Sequence, residues 1–224
     1  QNNCGLMVRR GKVLNIRNVA GGFERMMQNT EIFGIVKALG LIPGKAYTTQ
    51  PEIMSDLRYH KGVLILSDQD TDGSHIAGLV YNALEVLFPS VLRIIPTFIR
   101  RFVTPVIICT RPRCESVRFY SAQDFDSWNR STPGADKYTI EYYKGLATSS
   151  DAQARQYFAD FHAHILNIGF DDEATGSLQF AFSNDKNRSA ERKQWMLESY
   201  NPQAAIKYTA DAPTTISLQR FIKT

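Results

Sequence analysis

The clearest pattern of apolar and polar residues in this chain lies between residues 62 and 87. Val63 to Leu66 form a continuous apolar run without alternation, which is typical of a strand buried on both faces of a parallel sheet. After a short acidic stretch, apolar residues recur at helical spacing from Ile76 to Leu87, and Pro89 ends the pattern. The sequence therefore predicts a strand, an acidic loop and a helix in direct succession.

Weaker patterns predict further elements on both sides of this unit. They are helices over residues 23–39, 53–59 and 121–129, an edge or irregular strand over 102–109, a strand over 139–143, a helix after Ser149 or Ser150, and a helical pattern over 216–222. Gly40 is the expected end of the first helix, and Ser121 is the expected cap of the third. Pro105 interrupts the strand over 102–109 because proline cannot donate to a sheet.

Three carboxylates follow the apolar strand, at Asp68, Asp70 and Asp72. Alternate residues of an extended segment point the same way, so this spacing can bring all three to one small volume. Each pair would repel by roughly 1 kcal/mol in water and by several times more in a partly dry site. A cation would relieve this repulsion, and oxygen ligands without His or Cys favour magnesium, manganese or calcium over zinc. The sequence therefore predicts a site for a divalent cation, Mg²⁺, Mn²⁺ or Ca²⁺.

Other loops carry similar aspartates. An EF-hand calcium loop shares the D-x-D-x-D-G run, but Leu79 stands where that loop has its bidentate Glu, and a strand precedes the run. A phosphatase of the haloacid dehalogenase type also places D-x-D after an apolar strand, but Asp72 stands where it has Thr or Val. A solvated acidic loop is the simplest alternative. The junction of a strand and a helix, however, is where α/β proteins bind ligands.

Composition limits the class of protein. With 224 residues, 43% of them hydrophobic and 21% charged, the chain has the make-up of one large or two small globular domains. No apolar run has the length of a membrane span, and no signal peptide pattern is present. The net charge of +4 is mild. An odd number of cysteines, Cys4, Cys109 and Cys114, without a C-x-x-C pair indicates a reducing compartment and no zinc site.

The acidic segment SDQDTDGSHI, at residues 67–76, resembles the D-x-D-x-D-G-x-H-I segment of the TOPRIM domain in type IIA DNA topoisomerases. Four further stretches resemble this family, in its order and at comparable spacing. They are RGKVLN at 10–15, NTEI with GL at 29–32 and 40–41, YKGL at 143–146, and AFS with RKQW at 181–183 and 192–195. Each motif is weak alone, but the ordered set is specific. The chain is identified as similar to the eukaryotic-type members of this family.

The resemblance implies an α/β fold in which a TOPRIM, Rossmann-like parallel sheet is flanked by helices and carries a smaller appended α+β region. It divides the chain into a TOPRIM domain over 1–150, a C-terminal helical and insert region over 151–213, and the start of a winged-helix domain over 214–224. No E-G-D-S motif is present. The first TOPRIM strand with its Glu, and the nucleophilic Tyr, are therefore expected outside this chain.

The resemblance also implies a function. The chain is expected to be part of an ATP-dependent topoisomerase that cleaves, passes and religates double-stranded DNA through a tyrosyl-phosphate intermediate. Its expected site residues are Asp68, Asp70 and Asp72 for magnesium, and Arg10, Lys12, Asn15, His75 and Lys144 for DNA. The full-length enzyme is expected to bind ATP and to act as a homodimer, with no membrane partner, whereas the chain alone is expected to lack cleavage activity. The expected location is intracellular: the nucleus for a cellular protein, or the host cytoplasm or a viral factory for a viral one.

Some positions depart from the family's pattern. Val8-Arg9 stands where Pro-Leu is usual, Ala147 stands where a second Gly is usual, and the polar stretch 184–192 is longer by two residues. These departures indicate a diverged member, such as one from a large DNA virus. Arginines also cluster around the strand over 102–109, where they could form a second phosphate-facing stripe. Because no spacing puts them on one face, solvated surface is the favoured interpretation for Arg100, Arg101, Arg111, Arg113 and Arg118.

Two functions of other classes stay open from the residues. A magnesium-dependent phosphatase or nuclease of haloacid-dehalogenase-like type would hydrolyse small phosphoesters as an isolated chain. A noncatalytic DNA-binding module would bind DNA with a steep salt dependence and without any metal dependence.

Overall fold

The structure is a computed structural model that describes residues 5–8, 11–17, 19, 22–145, 149–201, 206–208 and 213–223. The described helices are α1 (Gly22–Met27), α2 (Thr30–Leu39), α3 (Gln50–Asp56), α4 (Thr71–Leu87), α5 (Pro89–Ile94), α6 (Ala122–Ser131), α7 (Asp151–Ala159), α8 (Ala174–Phe182), α9 (Lys186–Glu198) and α10 (Leu218–Lys223). The described strands are β1 (Val63–Leu66), β2 (Ile99–Phe102), β3 (Ile107–Thr110), β4 (Val117–Phe119), β5 (Thr139–Tyr142), β6 (Ile165–Gly169) and β7 (Thr214–Ser217).

A four-stranded sheet in the order β1-β2-β6-β7 forms the centre of the fold. β1 runs parallel to β2 and β6 runs parallel to β7, whereas β2 and β6 are antiparallel. Apolar side chains of the sheet and of α4, α5, α8 and α10 form one core, with Phe98, Ile99, Leu166 and Ile168 fully buried. The predicted α/β fold, with helices flanking a sheet that contains parallel pairs, is confirmed.

The strand and helix around the acidic stretch lie where they were predicted, with one shift in the start of the helix. The prediction that the strand is buried on both faces is wrong, because β1 is the end strand of the described sheet and Leu66 is 43% exposed. β1 covers the apolar run Val63–Leu66, and α4 ends at Leu87, just before Pro89 begins α5. α4 begins at Thr71, earlier than the apolar periodicity predicts, because Asp70 caps it: Asp70 Oδ1 accepts a hydrogen bond of 2.8 Å from the Gly73 amide. The helix therefore starts inside the acidic stretch.

Two other predicted elements are divided. The helix predicted over 23–39 is two helices, because the Asn29 side chain caps α2 by accepting from the amides of Glu31 and Ile32, at 3.1 and 3.0 Å. It ends at Gly40 as predicted, in a left-handed conformation with φ of 78°. The strand predicted over 102–109 is two strands in different sheets, with Pro105 in the link between β2 and β3.

The second sheet is antiparallel, in the order β4-β3-β5, and α6 packs on it. Ser121 caps α6 as predicted, since its hydroxyl accepts from the Asp124 amide at 3.1 Å. Phe125 and Trp128 of α6 contact Phe119, with ring centroids 5.5 and 5.2 Å apart. This small α+β unit lies within residues 107–142, between two strands of the central sheet.

The central sheet joins distant parts of the chain. β6 follows residue 150 and pairs with β2, and β7 follows residue 213 and pairs with β6. The predicted boundaries after residues 150 and 213 therefore fall in connections between strands of one sheet, and the division into three regions stays a prediction. In the part of the chain that the structure describes, no helix combines the length and apolar character needed to cross a membrane.

Candidate metal and DNA-binding site

The acidic loop, residues 67–73, lies where β1 ends and α4 begins. The Ser67 hydroxyl donates to the Gly73 carbonyl at 3.1 Å, which ties the two ends of the loop together. A Cβ at position 73 would overlap the main-chain carbonyl of Asp68, so only glycine fits there. The loop thus folds tightly on itself and presents its aspartates at the carboxyl end of β1.

The three carboxylates of the loop have different surroundings. Asp68 is exposed, Asp70 is half-buried and caps α4, and Asp72 lies on the first turn of α4. Asp72 forms an ion pair with Lys12 at 2.8 Å, and this hydrogen bond holds the pKa of the Asp72 carboxyl below its ordinary value. Because α4 begins at Thr71, Asp72 does not continue the alternation of an extended segment.

No group of three His, Cys, Asp or Glu side chains in the described ranges is placed to hold a metal ion together. The predicted three-aspartate site therefore stays a prediction. The geometry does divide the set, since Asp68 and Asp70 remain at the end of the strand while Asp72 turns to Lys12.

Lys144 and Gly145 come to the acidic loop from the small sheet. After β5, the Tyr143 amide donates to the Val106 carbonyl at 2.8 Å, which fixes the direction of the chain. Gly145 is buried, and a Cβ there would overlap the Asp68 carboxylate oxygens. The absence of a side chain thus lets this backbone lie directly against Asp68. Lys144, one residue earlier, is exposed beside the loop.

The basic segment, residues 11–17, runs beside α4. Lys12 contacts Asp72, whereas the side chain of Asn15, an exposed residue, forms hydrogen bonds with the rest of the protein. Its Nδ2 donates to the Phe182 carbonyl at 2.8 Å, and its Oδ1 accepts from Asn82 Nδ2 at 3.1 Å and from the Arg17 amide at 3.2 Å. Both ends of the Asn15 amide are thus used internally, and its predicted DNA contact stays untested.

His75 lies on the same end of α4. Its ring stacks on Phe182, with centroids 6.0 Å apart and planes inclined by 10°. Burial lowers the pKa of His75 below its ordinary value, and the nearby charge of Lys12 lowers it further. The lowered pKa favours the neutral ring, which can exchange a hydrogen bond with a phosphate.

Arg101 is a site residue that the sequence interpretation missed. Only 4% of its surface is exposed, so the expectation of solvated surface is wrong for this arginine. From β2 it reaches the acidic loop, where Nη2 donates to the Asp68 carbonyl at 2.5 Å and Nη1 donates to Ser74 Oγ at 2.8 Å. Its position in the apolar stretch FIRRFV was the available signal, because a charge within a buried strand requires a partner.

Two points remain about residue types of the resembled family. Arg10 and Ala147 lie outside the described residues. The chain also contains an adjacent Arg and Tyr, Arg58-Tyr59. In the resembled family, a Tyr next to an Arg is the nucleophile that cleaves DNA. Tyr59 precedes β1 whereas the acidic loop follows it, and its side chain packs on the core and against Gly5. Tyr59 is therefore placed as a structural residue, at the other end of the strand.

Comparisons with known proteins agree with this arrangement. The family model described as the C-terminal associated domain of TOPRIM matches residues 102–224. A mitochondrial DNA topoisomerase 2 of Dictyostelium discoideum is 39% identical over 202 residues, which is 89% of this chain and 15% of that protein. DNA topoisomerase 2-alpha of Mus musculus is 38% identical over 195 residues, which is 86% of this chain and 12% of that protein.

A solved structure is similar over nearly the whole chain. The topoisomerase II DNA-binding, cleavage and re-ligation domain of Plasmodium falciparum superposes with a TM-score of 0.79 at 29% identity, covering 95% of this chain and 27% of that one. The chain thus spans 12% to 15% of the length of the two relatives named above. On these matches, the chain belongs to the family of the C-terminal associated domain of TOPRIM and is homologous to type II DNA topoisomerases.

Proposed function

We propose that this chain supplies the magnesium-binding TOPRIM part of a type II DNA topoisomerase, which cleaves, passes and religates double-stranded DNA through a tyrosyl-phosphate intermediate. The observation that supports this most directly is the meeting of three distant segments. Lys12 pairs with Asp72, and the backbone at Gly145 lies against Asp68, so two exposed lysines flank one acidic loop. The intact enzyme is proposed to hydrolyse ATP and to act as a homodimer, as the family resemblance implies.

The donor set suits a hydrated magnesium ion. Magnesium is usually held by one or two carboxylates, with waters and a substrate phosphate completing its coordination. Asp68 and Asp70 lie at the strand end, whereas Asp72 lies on α4 and is paired with Lys12. When bound, the ion would stabilise negative charge that develops on the scissile phosphate and on the leaving oxygen.

The chain's own residues bind and orient the DNA. Lys12 and Lys144 neutralise phosphates and so position the duplex without reading its sequence. Asp72 holds Lys12 beside the acidic loop, and Asn15 fixes the basic segment by donating to the Phe182 carbonyl. His75 offers a hydrogen bond, and Arg10 is proposed to contact DNA because the family resemblance implies it. The nucleophilic tyrosine and the family's Glu come from other parts of the enzyme, so the chain alone is proposed not to cleave.

Magnesium titration followed by calorimetry tests this proposal. Magnesium is added to the chain and to its Asp68→Asn, Asp70→Asn and Asp72→Asn variants, each with and without a short nicked duplex. Asparagine keeps the helix cap at position 70, so that variant tests charge more than folding. We expect the first two variants to lose affinity by at least about tenfold, or about 1.4 kcal/mol, and Asp72→Asn to stay close to the wild type.

Other results would favour other functions. Wild-type chain that binds no magnesium, even beside the nicked duplex, would contradict the proposal. Tight, salt-dependent DNA binding without metal dependence would then indicate a noncatalytic module. Metal-dependent hydrolysis of small phosphoesters by the chain alone, lost in Asp68→Asn, would indicate a phosphatase or nuclease instead.

A further inference from the structure

A buried cation lies directly beneath the acidic loop. Arg101 projects from β2, in register with Ile65 of β1, and is 4% exposed. Taking a guanidinium out of water is costly, and a well-packed apolar side chain in its place is often neutral or stabilising. A buried arginine at this position is therefore not explained by packing alone.

The guanidinium bonds both ends of the loop. Nη2 donates to the Asp68 carbonyl, and Nη1 donates to the Ser74 hydroxyl on the first turn of α4. Ser74 Oγ in turn donates to the Asp70 carbonyl at 3.1 Å. One planar group thus connects Asp68, Asp70 and Ser74, and the two-pronged geometry of arginine suits this bridging better than lysine would.

These bonds leave the positive charge of Arg101 uncancelled. Both direct acceptors are neutral oxygens, and Nε is buried without a hydrogen-bond partner among the described residues. The positive charge of the Arg101 guanidinium interacts electrostatically with the Asp70 carboxylate of the loop. The Asp70 carboxylate therefore interacts with a fixed positive charge from inside the protein, and the same guanidinium holds the main chain at Asp68.

We propose that Arg101 is a built-in counter-cation that holds the acidic loop in its folded shape without a metal ion and thereby positions Asp68 and Asp70 to receive one. The inference rests on the proposed function, because it concerns the same site. Arg101 acts through the loop and does not touch the metal, so it is a positioning residue. Without it, repulsion among the aspartates would open the loop until a divalent cation supplied the missing charge.

Amide hydrogen exchange distinguishes this role from simple packing. The amides of Gly73 and Ser74 donate to Asp70 within the loop, so their exchange reports loop opening. The test compares wild type, Arg101→Met and Arg101→Lys, first in EDTA and then in excess magnesium. Arg100→Met is the matched control, because Arg100 is the neighbouring half-buried arginine and donates to Lys61, away from the loop.

In EDTA, we expect both amides to exchange at least about tenfold faster in Arg101→Met than in wild type, and at the wild-type rate in Arg100→Met. Magnesium should restore slow exchange in Arg101→Met, so the protection gained on adding metal is larger in this variant than in wild type. Arg101→Lys should be intermediate, since it keeps the charge but cannot bridge both ends. If Arg101→Met does not fold, the lysine variant carries the comparison.

Equal exchange in the Arg101→Met and Arg100→Met variants would refute the inference. So would fast exchange in Arg101→Met that magnesium leaves unchanged while wild type binds the ion, because a packing defect would behave in that way. If wild type binds no magnesium, the proposed function fails together with the metal part of this inference. The comparison in EDTA would still decide whether Arg101 holds the loop.

Discussion

Two ion pairs join the same two segments, the basic segment and α4, yet they differ in their contact with water. Lys12 and Asp72 are 2.8 Å apart, with side chains 48% and 70% exposed. Arg17 and Glu85 are 2.5 Å apart, with side chains 11% and 7% exposed. The first pair lies at the acidic loop, and the second lies further along the helix.

Burial gives these pairs different roles. An exposed pair contributes little to stability and exchanges readily, so Lys12 can leave Asp72 for a phosphate. The buried pair is held by further bonds, from Arg17 Nε to Asn82 Oδ1 at 2.6 Å and from the Thr175 hydroxyl to Glu85 at 3.0 Å. The Arg17–Glu85 pair is thus structural. It fixes the basic segment on α4 and so keeps Lys12 beside the acidic loop.

The largest expected effect tests the buried end. Glu85→Ala leaves the Arg17 guanidinium buried without its partner, which should lower the free energy of unfolding by about 3–5 kcal/mol. Urea denaturation measures the change. Asp72→Ala, which breaks the exposed pair, should leave the midpoint nearly unchanged.

A double variant makes this comparison sharper. Arg17→Met with Glu85→Leu removes both charges, and it should recover part of the stability that Glu85→Ala loses. Similar losses from Glu85→Ala and Asp72→Ala would show that burial does not separate the two pairs.

The next effect concerns the loop itself. In Gly145→Ala the added methyl group would push the Asp68 carboxylate aside, because that side chain is the movable part of the overlap. Magnesium affinity should fall by about tenfold, with little change in stability. Gly176→Ala is the control, since nothing lies near its added Cβ and an alanine within α8 should stabilise by about 0.5–1 kcal/mol. Unchanged magnesium affinity in Gly145→Ala would separate Asp68 from the metal.

Local patterns predicted the part of the site that is continuous in sequence. The run Val63–Leu66 and the aspartates after it are neighbours in the chain, so β1, the loop and α4 could be predicted together. The start of α4 was misplaced because Asp70 is both a candidate ligand and a helix cap, and apolar spacing does not show capping.

Contacts between distant segments were not predictable in this way. The sequence around Arg17 and the sequence around Glu85 do not show that the two residues meet. The expectation for Arg101 was wrong because it was grouped with four other arginines as exposed charge, although Arg101 lies in a buried strand. Only the family resemblance assigned Lys12 and Lys144 to the same site as the loop, and the close approach of Gly145 to Asp68 was not predicted.

A smaller effect is expected for DNA binding. Lys12→Ala should weaken binding to a duplex and reduce the slope of log affinity against log salt by about one. Lys37→Ala removes the same charge from an exposed position on α2 and should leave the slope unchanged. Fluorescence anisotropy over a range of salt concentrations measures both. Equal slopes for the two variants would mean that Lys12 does not contact DNA.

The smallest expected effect is the contribution of His75, near Lys12 and Asp72, to the pH dependence of stability. Its pKa is lowered from 6.5 in the folded protein, so the unfolded chain takes up its proton at a higher pH than the folded chain. His75 therefore contributes no loss of stability above pH 6.5, and it destabilises the fold slightly as the pH falls below that value.

Three variants test the cause of the lowered His75 pKa. Phe182→Leu should raise the pKa by letting water reach the ring, and Lys12→Ala should raise it by removing a positive charge. Asp72→Asn should lower it, because the Asp72 charge favours the protonated ring. Titration of the His75 imidazole by NMR measures all three shifts, and a wild-type pKa at or above 6.5 would show that the ring is not desolvated against Phe182.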